Sequence, residues 1–249
     1  MNVIYEPKVG PGSIRRWHAT FTWVARMGAS IATPRPACTG SRKCGIRRRG
    51  YAARMCVLKL SERDCAKLAK ERVDDDARRA LFCFLSDPYQ PLESEPHLTR
   101  RGIAIAAKYG IKVDILTKGD GALIEQDLPL MLESQTYLGV TLSFINDVPR
   151  QEWDPMASSV QSRLRILKEA HEMGIYTWVS MEPVIIPEKA LAVICEAHGY
   201  VDYWKVGKLN HNREVEQSVD WPKFREDAVV LLESYGSKFY IKEDLRKAV

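Results

Sequence analysis

A regular alternation of short apolar runs and amphipathic segments constrains the fold of this 249-residue chain most strongly. Apolar runs predict strands over residues 80–86, 111–117, 138–144, 175–181 and 201–207, and a further apolar stretch covers 238–241. Helical patterns predict helices over 61–72, 99–109, 121–134 (bent at Pro129), 158–173, 187–198 and 221–235. Strands that alternate with helices indicate βαβ units and a mostly parallel sheet.

The number of these units favours one architecture. There are too many units for a small domain and too few for a complete eight-unit barrel, which needs roughly 250 residues. We therefore predict a partial (β/α)6 TIM-type barrel in a single domain over residues 1–249, with intact barrel units in 57–249. A doubly wound open sheet is the structural alternative.

Composition and the amino terminus predict a cytoplasmic protein without a membrane partner. Hydrophobic residues make up 45% and charged residues 28% of the chain, as is typical of globular proteins. No apolar run approaches the length of a membrane span, and the start MNVIYEPK lacks the order of a secretory signal. The six cysteines are therefore expected to be reduced.

The cysteine pattern predicts no metal site. Cys83 and Cys195 lie on apolar faces of a predicted strand and helix, so we expect core thiols. The spacing of Cys38 and Cys44 matches no common zinc or iron–sulfur pattern.

The charge is distributed unevenly along the chain. Residues 8–60 contain 12 Lys and Arg and no Asp or Glu, whereas the rest carries 25 basic and 32 acidic residues. A basic segment of this kind can bind nucleic acid through phosphate contacts, so nucleic-acid binding through residues 9–56 is one functional alternative.

Polar residues follow the predicted strands. In a parallel barrel, functional side chains lie at the carboxyl ends of the strands. Those ends carry Ser86, Asp87, Thr117, Lys118, Ser143, Glu182, Lys205, Lys208 and Asn210. Lysines suit a carboxylate or phosphate, and Glu182 suits an amine or a ribose hydroxyl. We predict a small-ligand site at this edge; solvated loop residues are the alternative interpretation, because turns are polar in any case. The segment TKGDG at 117–121 is interpreted as a strand-to-helix turn.

Several of these sequences together resemble a known family. They are MNVIYEPK, SDPYQPLE, LTRRGI, ILTKG, GVTLSF, KEAHEMGIYTWVSMEPVI, VDYWKVGKLN and YIKEDLR. In this order they resemble the radical S-adenosylmethionine (radical SAM) proteins related to spore photoproduct lyase, often called DNA-repair-photolyase-like proteins. The likeness covers residues 1–8 and about 57–249.

The resemblance implies an enzyme with two cofactors. In this family a C-x3-C-x2-C loop binds a [4Fe–4S] cluster, which reductively cleaves S-adenosylmethionine to a 5′-deoxyadenosyl radical. By similarity, Ser86 and Lys118 would contact the carboxylate of S-adenosylmethionine and Ser143 its ribose, while Asp87, Glu182 and Asn210 would lie in the same pocket. The implied partners are an electron donor such as flavodoxin or ferredoxin and a DNA or other macromolecular substrate.

The cluster loop of the family is absent from this sequence. The family pattern G-C-x-H-G-C-x-Y-C-Y-A-P would lie at Trp23–Pro34, where this chain reads WVARMGASIATP, and no three cysteines in 9–56 have the required spacing. We therefore predict that this chain lacks its cluster ligands and is inactive in radical formation. A non-redox barrel that binds a small anionic ligand through Lys118 and Glu182 is the remaining alternative.

The genetic code offers an explanation for the altered loop. If the last base of each codon is joined to the first two bases of the next, residues 23–35 permit the family pattern at every position. Trp23-Val24 and Met27-Gly28 force its two glycines. We hypothesise two compensating frameshifts, one near Lys8–Val9 and one before Val57, which would make 9–56 an out-of-frame segment. Such a segment should leave the first barrel strand aberrant, the sheet edge unpaired and the protein poorly soluble.

Overall fold

The strands of the chain form one sheet in chain order. The computed structural model describes residues 4–5, 17–19, 62–70, 79–82, 87–95, 97–210 and 212–248. Its strands are β1 (Ile4–Tyr5), β2 (Trp17–Ala19), β3 (Arg79–Phe82), β4 (Lys112–Thr117), β5 (Tyr137–Thr141), β6 (Thr177–Val184), β7 (Tyr203–Lys208) and β8 (Lys238–Ile241). The β1–β2 pair is antiparallel, and every later neighbouring pair is parallel.

Helices separate the strands. They are α1 (62–68), α2 (Leu98–Lys108), α3 (Gly121–Glu125), α4 (Leu128–Glu133), α5 (Asp147–Trp153), α6 (Val160–Glu172), α7 (Pro187–Ala197), α8 (Arg213–Ser218), α9 (Trp221–Ser234) and α10 (Glu243–Arg246). Short 3₁₀ turns occupy Pro91–Ser94 and His198–Tyr200. Helices α2, α6, α7 and α9 end within two residues of their predicted bounds. Among the described residues, no helix combines the length and apolarity needed to cross a bilayer.

The strand order decides between the two predicted architectures. A doubly wound sheet reverses its strand order at a switch point, whereas here the order runs without reversal from β1 to β8. Crossovers of one hand that always advance in the same direction place the helices on one face and curl the sheet. The predicted partial barrel is therefore confirmed: its six predicted strands correspond to β3 to β8, and β2 adds one more parallel strand to the described part of the sheet.

The two faces of the sheet differ in chemistry. Val140, Val179 and Val206 project from β5, β6 and β7 into an apolar core shared with the helices. The next residues along each strand face the other way, into the barrel, because side chains alternate along a strand. There the ring of Trp178 lies across Gly139, where an added Cβ would approach the ring to 2.1 Å. The inner face is thus the more polar and aromatic one.

The amino-terminal side of the sheet is paired, although the sequence predicted an unpaired edge there. Trp17–Ala19 pairs in parallel with Ala80–Phe82, and Ile4–Tyr5 pairs with residues 18 and 19. The prediction was wrong because a strand ladder uses backbone N–H and C=O groups, which every non-proline residue supplies.

The segment 121–134 forms two helices rather than one bent helix. Helix α3 ends at Glu125, and α4 begins at Leu128 with Pro129 in its first turn. Proline fits the first turn, where its missing N–H has no intrahelical partner. Asp120 caps α3 by accepting a hydrogen bond from the Ala122 backbone N–H, which confirms the predicted turn at 117–121.

Candidate functional site

The predicted site residues gather at one end of the barrel. Lys118 directly follows β4, Ser143 lies two residues beyond β5, and Asn210 lies two residues beyond β7. Glu182 lies near the carboxyl end of β6, two residues before the last residue of the strand, Val184. Since β4 to β7 are parallel, their carboxyl ends meet at the same edge, where barrel enzymes carry their functional groups.

Parts of the predicted site lie outside the described residues. These parts are Ser86, Cys83 and the whole of 23–34, where the family's cluster loop would lie. Their predicted roles stay predictions.

Asp87, in the loop after β3, is hydrogen-bonded to the end of β4. One oxygen of its carboxylate accepts hydrogen bonds from the Tyr89 backbone N–H (2.8 Å) and from the hydroxyl of Thr117. The other oxygen accepts the backbone N–H of Lys118 at 2.6 Å. Both oxygens are therefore engaged by the protein, and Asp87 orients the turn that carries Lys118.

The ammonium group of Lys118 forms an ion pair. Its Nζ lies 2.6 Å from Oδ2 of Asp154, in the loop after α5, and the two side chains are 35% and 26% exposed. The Lys118 carbonyl accepts the backbone N–H of Ser158 at 2.8 Å, so the same loop contacts this residue twice. The ammonium of Lys118 is thus preoriented toward a carboxylate at the rim of the barrel.

Two arginines supply further positive charge beneath this loop. Arg163 is only 3% exposed and donates to the carbonyl of Thr141 at the end of β5. Burial lowers the pKa of its guanidinium to about 10, while the charge of Asp154 acts in the opposite direction. Arg163 therefore remains protonated at neutral pH. Arg150 donates to Asp147 Oδ1 at 2.7 Å.

Glu182 is paired across β7. Its carboxylate contacts the ammonium of Lys242, the residue that follows β8. A Cβ at Gly207 would lie 2.9 Å from Lys242 Cδ and 3.1 Å from Glu182 Cδ, so the bare glycine leaves room for this pair. Glu182 is thus engaged by a lysine of the chain itself, and its predicted role toward a ligand stays a prediction.

The other polar residues predicted at the strand ends have different surroundings. Asn210 donates from Nδ2 to Asp244 Oδ2 at 3.0 Å, on an exposed surface. Lys205 lies in the middle of β7 rather than at its end, and its Nζ lies 4.0 Å from the centre of the Trp178 ring. The predicted end position of Lys205 was wrong because β7 continues to Lys208.

The described cysteines do not fit an iron–sulfur cluster. Cys65 is buried, and burial raises the pKa of its thiol to about 12. Together with Cys195 it makes two described thiols, fewer than the three ligands of the family's cluster loop. Cys195 is exposed, which corrects the prediction of a core thiol: Val193, Ile194 and Ala197 face the core and turn position 195 outward. Within the described ranges, no three His, Cys, Asp or Glu side chains are arranged to hold a metal ion.

Sequence reasoning missed Asp154 and Arg163. Asp154 was missed because its loop follows a short helix, α5, that the apolar pattern did not reveal. Arg163 was treated only as part of an amphipathic helix, and nothing in the helical pattern distinguishes a buried arginine from an exposed one. A weak signal exists in the run of Asp, Pro and Ser at 154–159, which is typical of a loop that precedes a helix.

Comparisons with known proteins address the fold. No model of a known protein family matches the chain. An uncharacterized protein of Methanocaldococcus jannaschii is 30% identical over 101 residues, which are 41% of this chain and 38% of that protein. The chain therefore matches about two fifths of the length of this curated relative.

Solved structures extend the likeness to most of the chain. SuiB of Streptococcus suis superposes with a TM-score of 0.51 at 10% identity, over 88% of this chain and 58% of SuiB. SuiB bound to S-adenosylmethionine superposes with a TM-score of 0.51 at 9% identity, over 87% and 57%. The chain therefore shares the fold of this part of SuiB, a partial TIM-type barrel. At these identities the likeness concerns the fold alone.

Proposed function

We propose that this chain is a radical SAM-type barrel, similar to the relatives of spore photoproduct lyase, that binds S-adenosylmethionine at the carboxyl ends of its strands. The observation that carries the proposal is the partly exposed Lys118 ammonium, which is held against a carboxylate at the rim of this fold. A neighbour of the same fold, SuiB, has been solved with S-adenosylmethionine bound. The fold and the Lys118 ammonium therefore both support S-adenosylmethionine as the ligand.

Each proposed contact uses chemistry present in the chain. Lys118 and Ser86 would bind the carboxylate of S-adenosylmethionine, and Ser143 would bind the ribose. Asp87 would act through its hydrogen bond to the Lys118 backbone rather than by touching the ligand. Glu182 and Asn210 would complete the pocket, although each first has to leave its present partner or act through it.

We propose no radical step for the chain with this sequence. The segment Trp23–Pro34 contains no cysteine, and the described cysteines do not suit a cluster. An electron donor and a DNA or other macromolecular substrate belong to the active form of such an enzyme. In our proposal that form carries the shifted reading of residues 9–56.

Resequencing the source DNA across codons 8 to 57 tests the frameshift hypothesis. We expect insertions or deletions near codons 8–9 and before codon 57, which restore C-x3-C-x2-C. The restored protein should then bind iron and sulfide after anaerobic reconstitution, whereas the present chain should not. Bases that confirm the present reading throughout would contradict the hypothesis and leave a ligand-binding barrel without a cluster.

Replacing Lys118 with methionine should weaken the binding of S-adenosylmethionine about tenfold, because the variant loses one charge-assisted hydrogen bond to the ligand. Equilibrium dialysis of the complete chain measures this change. The affinity for 5′-methylthioadenosine should stay the same, since that molecule lacks the amino-acid carboxylate.

Lys168, which is exposed on α6, provides a matched control for the lost charge. Lys168→Met should bind S-adenosylmethionine as the unmodified chain does. Equal binding by Lys118→Met and the unmodified chain would contradict the proposed role of Lys118. Salt-dependent binding of nucleic acid that disappears on deletion of 9–56 would instead support the alternative function of the basic segment.

A further inference from the structure

We propose that Asp154 is a placeholder for the ligand, by which we mean that its carboxylate pairs with the ammonium of Lys118 until the carboxylate of S-adenosylmethionine displaces it. The inference rests on the proposed function, because it assumes that Lys118 binds this ligand. It assigns a new role to a residue outside the strand ends. Asp154 would compete with the ligand and set the affinity of the site.

The geometry of the ion pair suits an exchange. The 2.6 Å separation of Lys118 Nζ and Asp154 Oδ2 is that of a direct charge-assisted hydrogen bond. Both side chains are partly exposed, so a ligand can reach the ammonium from the solvent side. Partly exposed ion pairs contribute little to stability, and therefore displacement of Asp154 by an incoming carboxylate costs little free energy.

The local balance of charge favours exchange over addition. Three carboxylates (Asp87, Asp147 and Asp154) act on the buried guanidinium of Arg163, and the nearby cations Lys118 and Arg150 complete a cluster of three positive and three negative groups. A ligand carboxylate that binds Lys118 while Asp154 is still in place would lie next to a second carboxylate, and like charges that close repel. Departure of Asp154 from Lys118 relieves this repulsion.

The loop that carries Asp154 is held unevenly. The Nη1 atom of Arg150 donates to the carbonyl of Ala157 at 2.9 Å but lies 3.4 and 3.5 Å from the carbonyls of Asp154 and Pro155. The side chain of Met156 is 85% exposed. The backbone N–H of Asp154 also donates to the Arg150 carbonyl at 2.7 Å, so a movement of the loop at Asp154 has to break this hydrogen bond while Ala157 stays anchored.

The test is ligand binding by Asp154→Asn in the complete chain. Removing the competing charge should tighten the binding of S-adenosylmethionine about two- to fivefold, which corresponds to the strength of an exposed ion pair. The affinity for 5′-methylthioadenosine should not change. Glu152→Gln, which removes an exposed carboxylate from the end of α5 just before Asp154, should leave both affinities unchanged.

Hydrogen exchange gives a second measurement that does not depend on the variant. Saturation of the unmodified chain with S-adenosylmethionine should speed amide exchange at Asp154 and Met156, whereas 5′-methylthioadenosine should not. Weaker or unchanged binding of S-adenosylmethionine by Asp154→Asn would overturn the placeholder role and identify Asp154 as a support of Lys118. If the unmodified chain itself binds no S-adenosylmethionine, the proposed function fails, and the placeholder role fails with it.

Discussion

Replacing Asp114 with alanine should lower the free energy of unfolding by about 3–5 kcal/mol, because the substitution leaves a buried guanidinium without its carboxylate. Arg79 Nε donates to Asp114 Oδ1 at 2.7 Å, and both side chains are more than nine-tenths buried. The guanidinium also lies 3.4 Å above the ring of Tyr137, so it cannot reach water by a simple rotation. Urea denaturation followed by circular dichroism measures the loss.

The double variant Arg79→Met, Asp114→Leu is the control for this prediction. The two apolar residues remove both charges at once, so the double variant should be considerably more stable than Asp114→Ala. A loss below about 1 kcal/mol in Asp114→Ala would show that the guanidinium finds water or another partner. Arg79 begins β3 and Asp114 is the third residue of β4, so the pair lies in the amino-terminal halves of the two strands, away from the ligand-binding end of a barrel.

The regular part of this fold follows from the sequence. Runs such as 111–117 and 201–207 are apolar and short, as is typical of buried strands. The helix before β4 ends at Gly110, which has a φ of +68°, a conformation that glycine adopts without strain. Such signals are local, and therefore a single sequence reveals them. The absence of a reversal in strand order, which separates a barrel from a doubly wound sheet, is not a local property.

The site was predictable only in outline. The rule that parallel strands carry functional groups at their carboxyl ends selected Lys118 and Glu182 correctly as residues of one edge. The partners of these residues could not be derived, because Asp154 lies 36 positions after Lys118 and Lys242 lies 60 positions after Glu182. Pairings across such separations depend on the register of the sheet and on loop conformations that no local pattern encodes.

Gly119 connects the stability of the fold to the candidate site. An added Cβ would lie 2.3 Å from the carbonyl oxygen of Tyr89 and 2.7 Å from its carbonyl carbon. Tyr89 is itself fixed, since it is buried and its hydroxyl donates to Asp127 Oδ2 at 2.9 Å. The loop after β3 therefore cannot move aside for a side chain at position 119 without breaking other contacts.

Gly119→Ala should consequently lower the free energy of unfolding by about 3 kcal/mol, the upper end of the usual range for overpacking, because backbone atoms block the methyl group. Urea denaturation measures this loss. The substitution should also weaken the binding of S-adenosylmethionine, since separating the two loops pulls Asp87 away from the Lys118 backbone.

Gly199→Ala is the matched control, because a Cβ at Gly199 has no neighbour within 4 Å. That variant should change neither stability nor binding appreciably. Stability lost without any loss of ligand affinity in Gly119→Ala would mean that the site tolerates the displacement and that Asp87 does not position Lys118. A loss of both stability and ligand affinity would show that the hydrogen bond from the Lys118 backbone to Asp87 positions the Lys118 ammonium for ligand binding.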